Sequence, residues 1–132
     1  MFRLIAIFAL CAVAAVAADP TTTVTGKLVP DTKAPQLKAA GKSYRLVAAD
    51  DYTGHVLHTT QLAGREVRLE GRWKDAGTFE VQRALTLREG RLYKVIWYCD
   101  TCAISSYRPG RCDCCQQPTE LREVPFEPDG IR

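Results

Sequence analysis

Apolar and polar residues alternate along most of this chain, and they do not recur at a helical interval. Val24-Thr25-Gly26-Lys27-Leu28-Val29 opens the pattern, and its period of two predicts a first strand with one buried face. Ser43-Tyr44-Arg45-Leu46-Val47 predicts a second, entered from Gly41-Lys42, whereas Asp50-Asp51-Tyr52-Thr53-Gly54 has the composition of a loop. Leu62 to Trp73 alternates most clearly: Val67, Leu69 and Trp73 share one face, Arg68, Glu70 and Arg72 the other. Lys74-Asp75-Ala76-Gly77 reads as a turn, after which Thr78-Phe79-Glu80-Val81 resumes the pattern. A hairpin follows, with Arg68 or Arg72 meeting Glu80 across it.

Two places break the alternation. Arg83 shares parity with Phe79, Val81, Leu85 and Leu87, so a straight strand would bury it; a bulge near Gln82 would turn it outward as a surface arginine. Arg91 to Cys99 is apolar on both faces, with Tyr93, Val95 and Trp97 on one side and Leu92, Ile96 and Tyr98 on the other. Such a strand must be covered twice, which predicts the core against one face and the C-terminal tail against the other. Within that tail Glu120-Leu121-Arg122-Glu123-Val124 reads as an edge strand or strap.

Short strands punctuated by glycine-rich turns predict an all-β fold. Val24-Thr25-Gly26-Lys27, Leu62 to Gly71 and Phe79-Glu80-Val81 resemble small exported OB-fold domains over residues 22–88. The resemblance implies a small OB-like five-stranded barrel with a binding groove and nothing catalytic.

The N-terminus is of a different kind. Met1-Phe2-Arg3 precedes an apolar run from Leu4 to Val16, and Ala15-Val16-Ala17-Ala18 supplies small residues before Asp19-Pro20. This is the pattern of a secretory signal peptide, shorter than the roughly 20 apolar residues of a membrane span. Cys11 follows Leu10, whose bulk argues against lipidation there. The expected organisation is therefore residues 1–18 signal peptide, 19–98 OB-like barrel, 99–126 cysteine-rich module and 127–132 disordered tail. The expected location is the periplasm or the extracellular space, with no membrane span in the mature chain. The formal net charge is +3, and residues 1–18 hold Arg3 and no acid, so the remainder carries +2. That balance, with bases alternating with acids and no evident aromatic ladder, disfavours a nucleic-acid partner and leaves an unidentified protein or small ligand.

Cys99-Asp100-Thr101-Cys102 and Cys112-Asp113-Cys114-Cys115 carry the chain's distinctive chemistry. Two C-x-x-C turns joined by Pro109-Gly110 can point four sulfurs at one ion, and four thiolates suit tetrahedral zinc. Export favours disulfides, so bridges and metal both stay open, although five cysteines cannot all pair. The motif resembles short zinc ribbons over residues 98–116. That resemblance implies Cys99, Cys102, Cys112 and Cys115 as ligands of Zn(2+), with Cys114 a substitute ligand or a free thiol. Zinc ribbons usually place glycine after each knuckle, where this chain has Ala103 and Gln116. Lys94, Arg108 and Arg111 are near enough in sequence to offset thiolate charge, against the plainer and preferred reading of each as an ordinary solvated side chain. The string from Tyr98 to Glu123 also resembles tails of uncharacterised small exported bacterial proteins, which implies no activity.

The only histidines, His55 and His58, lie far upstream, so no Cys-His pair for nucleophilic catalysis is evident. With Asp50 and Asp51 they could form a second metal site, against the plainer reading of two surface histidines. The expected function is a non-enzymatic exported binding module stabilised by zinc. The alternative is an extracytoplasmic thiol protein that handles soft metal such as copper(I) or exchanges disulfides through Cys114.

Overall fold

The structure is a computed structural model that describes residues 20–31 and 33–128. The predicted signal peptide over residues 1–18 lies outside the described residues, as does the end of the predicted tail, residues 129–132.

Strand β1 (Thr22–Val29) starts where the alternation starts. The next strand, β2 (Gln36–Ala39), has no counterpart among the predicted elements, because four residues with Leu37 alone fully buried carry too little periodicity to register. β3 (Lys42–Ala48) contains the second predicted strand. Helix α1 (Asp51–His58) replaces the predicted loop. Asp50 stays extended and accepts the Thr53 N–H at 2.7 Å, the N-cap that starts the helix. Thr53, Val56 and Leu57 form its buried stripe, too short and too interrupted by Gly54 to show a helical period.

β4 (Glu66–Asp75) and β5 (Thr78–Arg88) form the predicted hairpin, and the residues before β4, Thr60–Leu62, make a 3-10 turn instead of extending the strand. Arg72 Nε lies 2.9 Å from Glu80 Oε1 across it. Glu70 pairs with Arg83 and Gly71 with Val81, which leaves Gln82 as the extra residue of a bulge. Arg83 consequently points outward, its Nη1 3.3 Å from Glu70 Oε2. Trp73 is less enclosed than its parity predicts, at 40% exposure, and stands edge-on against Tyr44 and Phe79 with ring centroids 5.0 Å from each.

β1 pairs antiparallel with β2 and β4, β2 with β3, and β4 with β5, while β3 runs parallel to β5. Followed in order, β1-β2-β3-β5-β4 returns to β1, so these pairings form a closed circuit. Leu28, Leu37, Leu46, Val67, Leu69, Phe79 and Val81 fill its interior together with Val56 and Leu57 of α1. Closure brings backbones close at two glycines. A Cβ on Gly71 would lie 1.8 Å from the Glu80 carbonyl oxygen, and one on Gly26 would lie 2.5 Å from that of Lys38.

β6 (Arg91–Cys99) stays beside β5 only from Arg91 to Tyr93 and then runs on alone. β7 (Ile104–Ser106) pairs with it over Trp97–Cys99, and β8 (Glu120–Pro125) over Tyr93–Tyr98. Val95 and Trp97 join the core, and Ile96 is 8% exposed. The tail was expected to lie across the second face of this strand. The β8 segment instead lies beside β6 as a ladder neighbour, because a strand leaving its sheet has an open row of N–H and C=O groups that only another backbone satisfies fully.

Two alanine substitutions should move stability in opposite directions. Gly71→Ala is expected to cost about 2 kcal/mol or more, since its Cβ meets backbone that cannot swing away. Gly54→Ala, whose Cβ would meet only Ala48 at 3.6 Å inside a helix, is expected to gain about 0.5–1 kcal/mol. Urea unfolding of the two variants beside the parent measures both.

Candidate metal centre

The final residue of β6 is Cys99, 1% exposed, and the chain turns immediately after it. Asp100 to Ala103 form the turn, and β7 returns antiparallel with Ile104 opposite Cys99. Inside the turn the Cys102 N–H points at Cys99 Sγ over 3.5 Å. A second turn is built alike. Arg111 and Pro118 bridge its two arms, Cys112 N–H donates to Gln117 O at 2.8 Å, and Gln116 N–H donates to Cys112 O at 2.9 Å. The Cys112 sulfur accepts from the N–H groups of Cys115 and Cys114, as the Cys99 sulfur accepts from those of Cys102 and Thr101.

Each turn needs one left-handed residue after its second cysteine. Ala103 has φ 54° and Gln116 φ 62°, so both positions adopt the conformation that zinc ribbons usually give to glycine. The sequence spacing pointed to these two places, but only the backbone reveals that the turn closes without glycine.

The Sγ atoms of Cys99, Cys102, Cys112 and Cys115 all lie within 4.8 Å of one another, with Cys99 and Cys115 at 3.5 Å. Zinc–sulfur bonds of about 2.3 Å in a tetrahedron separate the sulfurs by about 3.8 Å, so the cluster has the dimensions to hold a metal ion. The five cysteines among the described residues are free thiols, and 3.5 Å is far from the disulfide length of about 2.05 Å. Cys114 is exposed and outside this group of four, although its side chain reaches Cys102.

The thiols differ in acidity for local reasons. Backbone N–H groups of Cys115 and then Cys114 draw the Cys112 thiol down to about 7 against the cost of burial, with smaller help from the Cys99 and Cys115 side chains. Cys102 is pushed well up, chiefly by the sulfurs of Cys115 and Cys114 and then by burial. At Cys99 the Cys102 N–H pulls downward, but burial and the neighbouring Cys115 and Cys112 sulfurs outweigh it and the net shift is upward. Cys112 thus ionises before Cys99 and Cys102. Any metal must displace protons from the others.

The three cations near enough in sequence to offset thiolate charge are used differently. Arg108 grips Asp113 with contacts of 3.1 and 3.0 Å, and Arg111 donates to Gln116 O at 3.2 Å, fastening the second turn. Lys94 sits over the Tyr107 ring at 4.4 Å and the Tyr52 ring at 5.7 Å. Its parity on β6 sends it to the opposite face from Val95 and Trp97, so it does not take that role. Backbone N–H groups, not side-chain cations, approach the sulfurs.

No second site forms at the histidines. His58 Nδ1 lies 2.8 Å from Asp31 O, and His55 stands edge-on to Trp97 at 6.4 Å. Among the described residues the four cysteines are the one group of three or more His, Cys, Asp or Glu placed to share an ion.

Neither a protein-family model nor a curated protein matches the chain. A solved structure, described as the crystal structure of a tRNA fluorescent labeling enzyme, matches 81% of this chain at 13% identity with a TM-score of 0.41. The chain spans 29% of that protein's length. This neighbour is an enzyme, so the expectation of a non-enzymatic protein is withdrawn; a likeness this distant carries no activity across, and none is put in its place.

Replacing the left-handed residues tests the turn geometry. Ala103→Gly and Gln116→Gly should each leave the fold intact and raise its stability by up to about 1 kcal/mol, the relief of the left-handed strain less the added freedom of the unfolded chain. Thermal unfolding of the single variants reads this out, and a clear loss at either position would contradict the backbone described here.

Proposed function

We propose that this protein is an exported binding module with an OB-like barrel body, in which a zinc-ribbon-like C-terminal module is locked by one structural Zn(2+). The observation that carries the metal part is the convergence of four sulfurs from two turns of the same build. Disulfides pair sulfurs two at a time and have no need for all four at one point; a tetrahedral ion does. Cys99, Cys102, Cys112 and Cys115 would fill its coordination shell, which leaves no open position and marks the ion as structural. A bound zinc ion would supply cross-linking between β6 and the segment leading into β8. The backbone N–H groups at Cys99 and Cys112 would keep those two thiolates oriented and partly neutralised.

The barrel reading is supported by the closed order β1-β2-β3-β5-β4 with a helix between β3 and β4. Export is proposed from the composition of residues 1–18 alone. One observation favours the second reading, a protein that handles soft metal or exchanges thiols: Cys114 is exposed and stands outside the group of four. Copper(I) would be held by fewer sulfurs, and exchange would begin at Cys114.

Native mass spectrometry of protein isolated from its own compartment separates these readings. One zinc per chain with all thiols reduced is expected, and removing the metal should lower the melting temperature by at least about 10 °C. Cys99→Ser or Cys112→Ser should abolish stoichiometric zinc, whereas Cys114→Ser should retain it. A metal-free protein whose mass records paired cysteines would overturn the proposal.

A further inference from the structure

A cavity of about 230 Å³ opens where α1, the β5 bulge, β6 and the residue after β8 meet, and no cysteine lines it. Its apolar lining is Ala84 and Leu85, each 2% exposed, with Tyr52 and Phe126. Its polar lining is contributed by Gln82, Arg83 and Lys94, all hydrogen-bond donors and two of them cations. No carboxylate lines it.

The bulge accounts for that composition. Regular alternation would turn Arg83 inward; the extra residue at Gln82 sends it to the cavity rim, where its guanidinium lies 5.2 Å from the centre of the Phe126 ring. Glu70 contacts Arg83 Nη1 at 3.3 Å, and a guanidinium has further donors beyond that one contact. Lys94 has no carboxylate partner among the described residues, only the faces of Tyr107 and Tyr52. The nearby acid Asp50 is occupied by the Thr53 N–H. The Tyr52 hydroxyl donates to Val95 O at 2.7 Å, and burial, followed by the neighbouring Tyr107 and Asp50, pushes its pKa up to about 12, so this side chain stays uncharged.

We propose that this cavity is a binding site for a small organic carboxylate with a flat or apolar body, the carboxylate held by Lys94 and Arg83 and the body laid against Leu85, Tyr52 and Phe126. A neutral ligand would leave Lys94 unpaired, and an inorganic anion would leave the apolar lining uncovered. The volume, below the roughly 300–1,000 Å³ of drug-sized pockets, limits the enclosed part of the occupant to about one ring and its carboxylate. The inference rests on the binding-module reading and is independent of the metal.

Titration of the whole protein with benzoate, benzamide and an acetylated dipeptide ending in phenylalanine, followed by NMR, tests it, with zinc content measured on the same samples. Saturable benzoate binding is expected, with shifts at Lys94, Leu85 and Phe126, and benzamide at least tenfold weaker. Lys94→Met and, separately, Arg83→Gln should each weaken benzoate by about tenfold without loss of fold. Tighter binding of the dipeptide than of benzoate would place the carboxylate on a polypeptide C-terminus; the reverse order would place it on a free small molecule. Equal binding of benzoate and benzamide, unchanged binding in both variants, or no saturation by about 10 mM in protein that holds its zinc would overturn the site and leave the metal proposal standing.

Discussion

The open edges of β6 govern the second half of this protein. After Tyr93 the strand parts from β5, yet Val95 and Trp97 must stay in the core. Its backbone groups therefore need a new partner on the edge that β5 vacates, besides the β8 partner that already lies on the opposite edge at Tyr93, because an unpaired N–H or C=O at a buried depth is costly. Trp97 shows the solution, for it pairs with Ser106 of β7 and Leu121 of β8 at once. Satisfying both edges fixes where each cysteine turn begins. Cys99 is carried to its place by the core packing of Trp97 two residues earlier, and β8 sets the end to which the second turn must connect.

The ion pairs reinforce this arrangement more than they create it. Glu123 of β8, its side chain only 10% exposed, takes Arg65 at 2.5 Å and Arg88 at 3.4 Å, tying the added strand to the start of β4 and the end of β5. Burying one carboxylate between two half-exposed guanidiniums costs desolvation that the pairing mostly repays, so its effect is on register more than on net stability. Arg122 similarly lies 4.1 Å over the Tyr98 ring and contacts Asp100 at the mouth of the first turn. The exposed pairs contribute little individually.

What was legible in the sequence was what repeats or breaks a repeat. The β4–β5 hairpin followed from alternation, the bulge at Gln82 from the parity of Arg83, and the meeting of the two cysteine pairs from their spacing. Elements set by one or two residues were not legible. β2 rests on Leu37, and α1 rests on an Asp50 cap and a stripe of three buried positions broken by Gly54. Whether β8 would lie across β6 or beside it depends on where β6 leaves β5, a long-range event with no local signature. The place of Lys94 over the Tyr107 and Tyr52 rings had no signal in its nearness to the cysteines and follows instead from its strand parity.

Left-handed residues other than glycine are not peculiar to the cysteine turns, since Ala40 and Glu89 adopt φ 50° and 51° in the β2–β3 and β5–β6 turns. Ala103 and Gln116 each accept a conformation costing an L-residue roughly 1–2 kcal/mol, and four thiols pressed within 4.8 Å give up their hydration as well. Hydrogen bonds across the two turns offset part of this, at about 1 kcal/mol each. A structural zinc ion contributes on the order of 10–16 kcal/mol at neutral pH in small zinc domains. Against that figure the absence of glycine after each knuckle is a minor cost. Under the proposed zinc reading a bound ion would outweigh the strain that an alanine and a glutamine carry at these two positions.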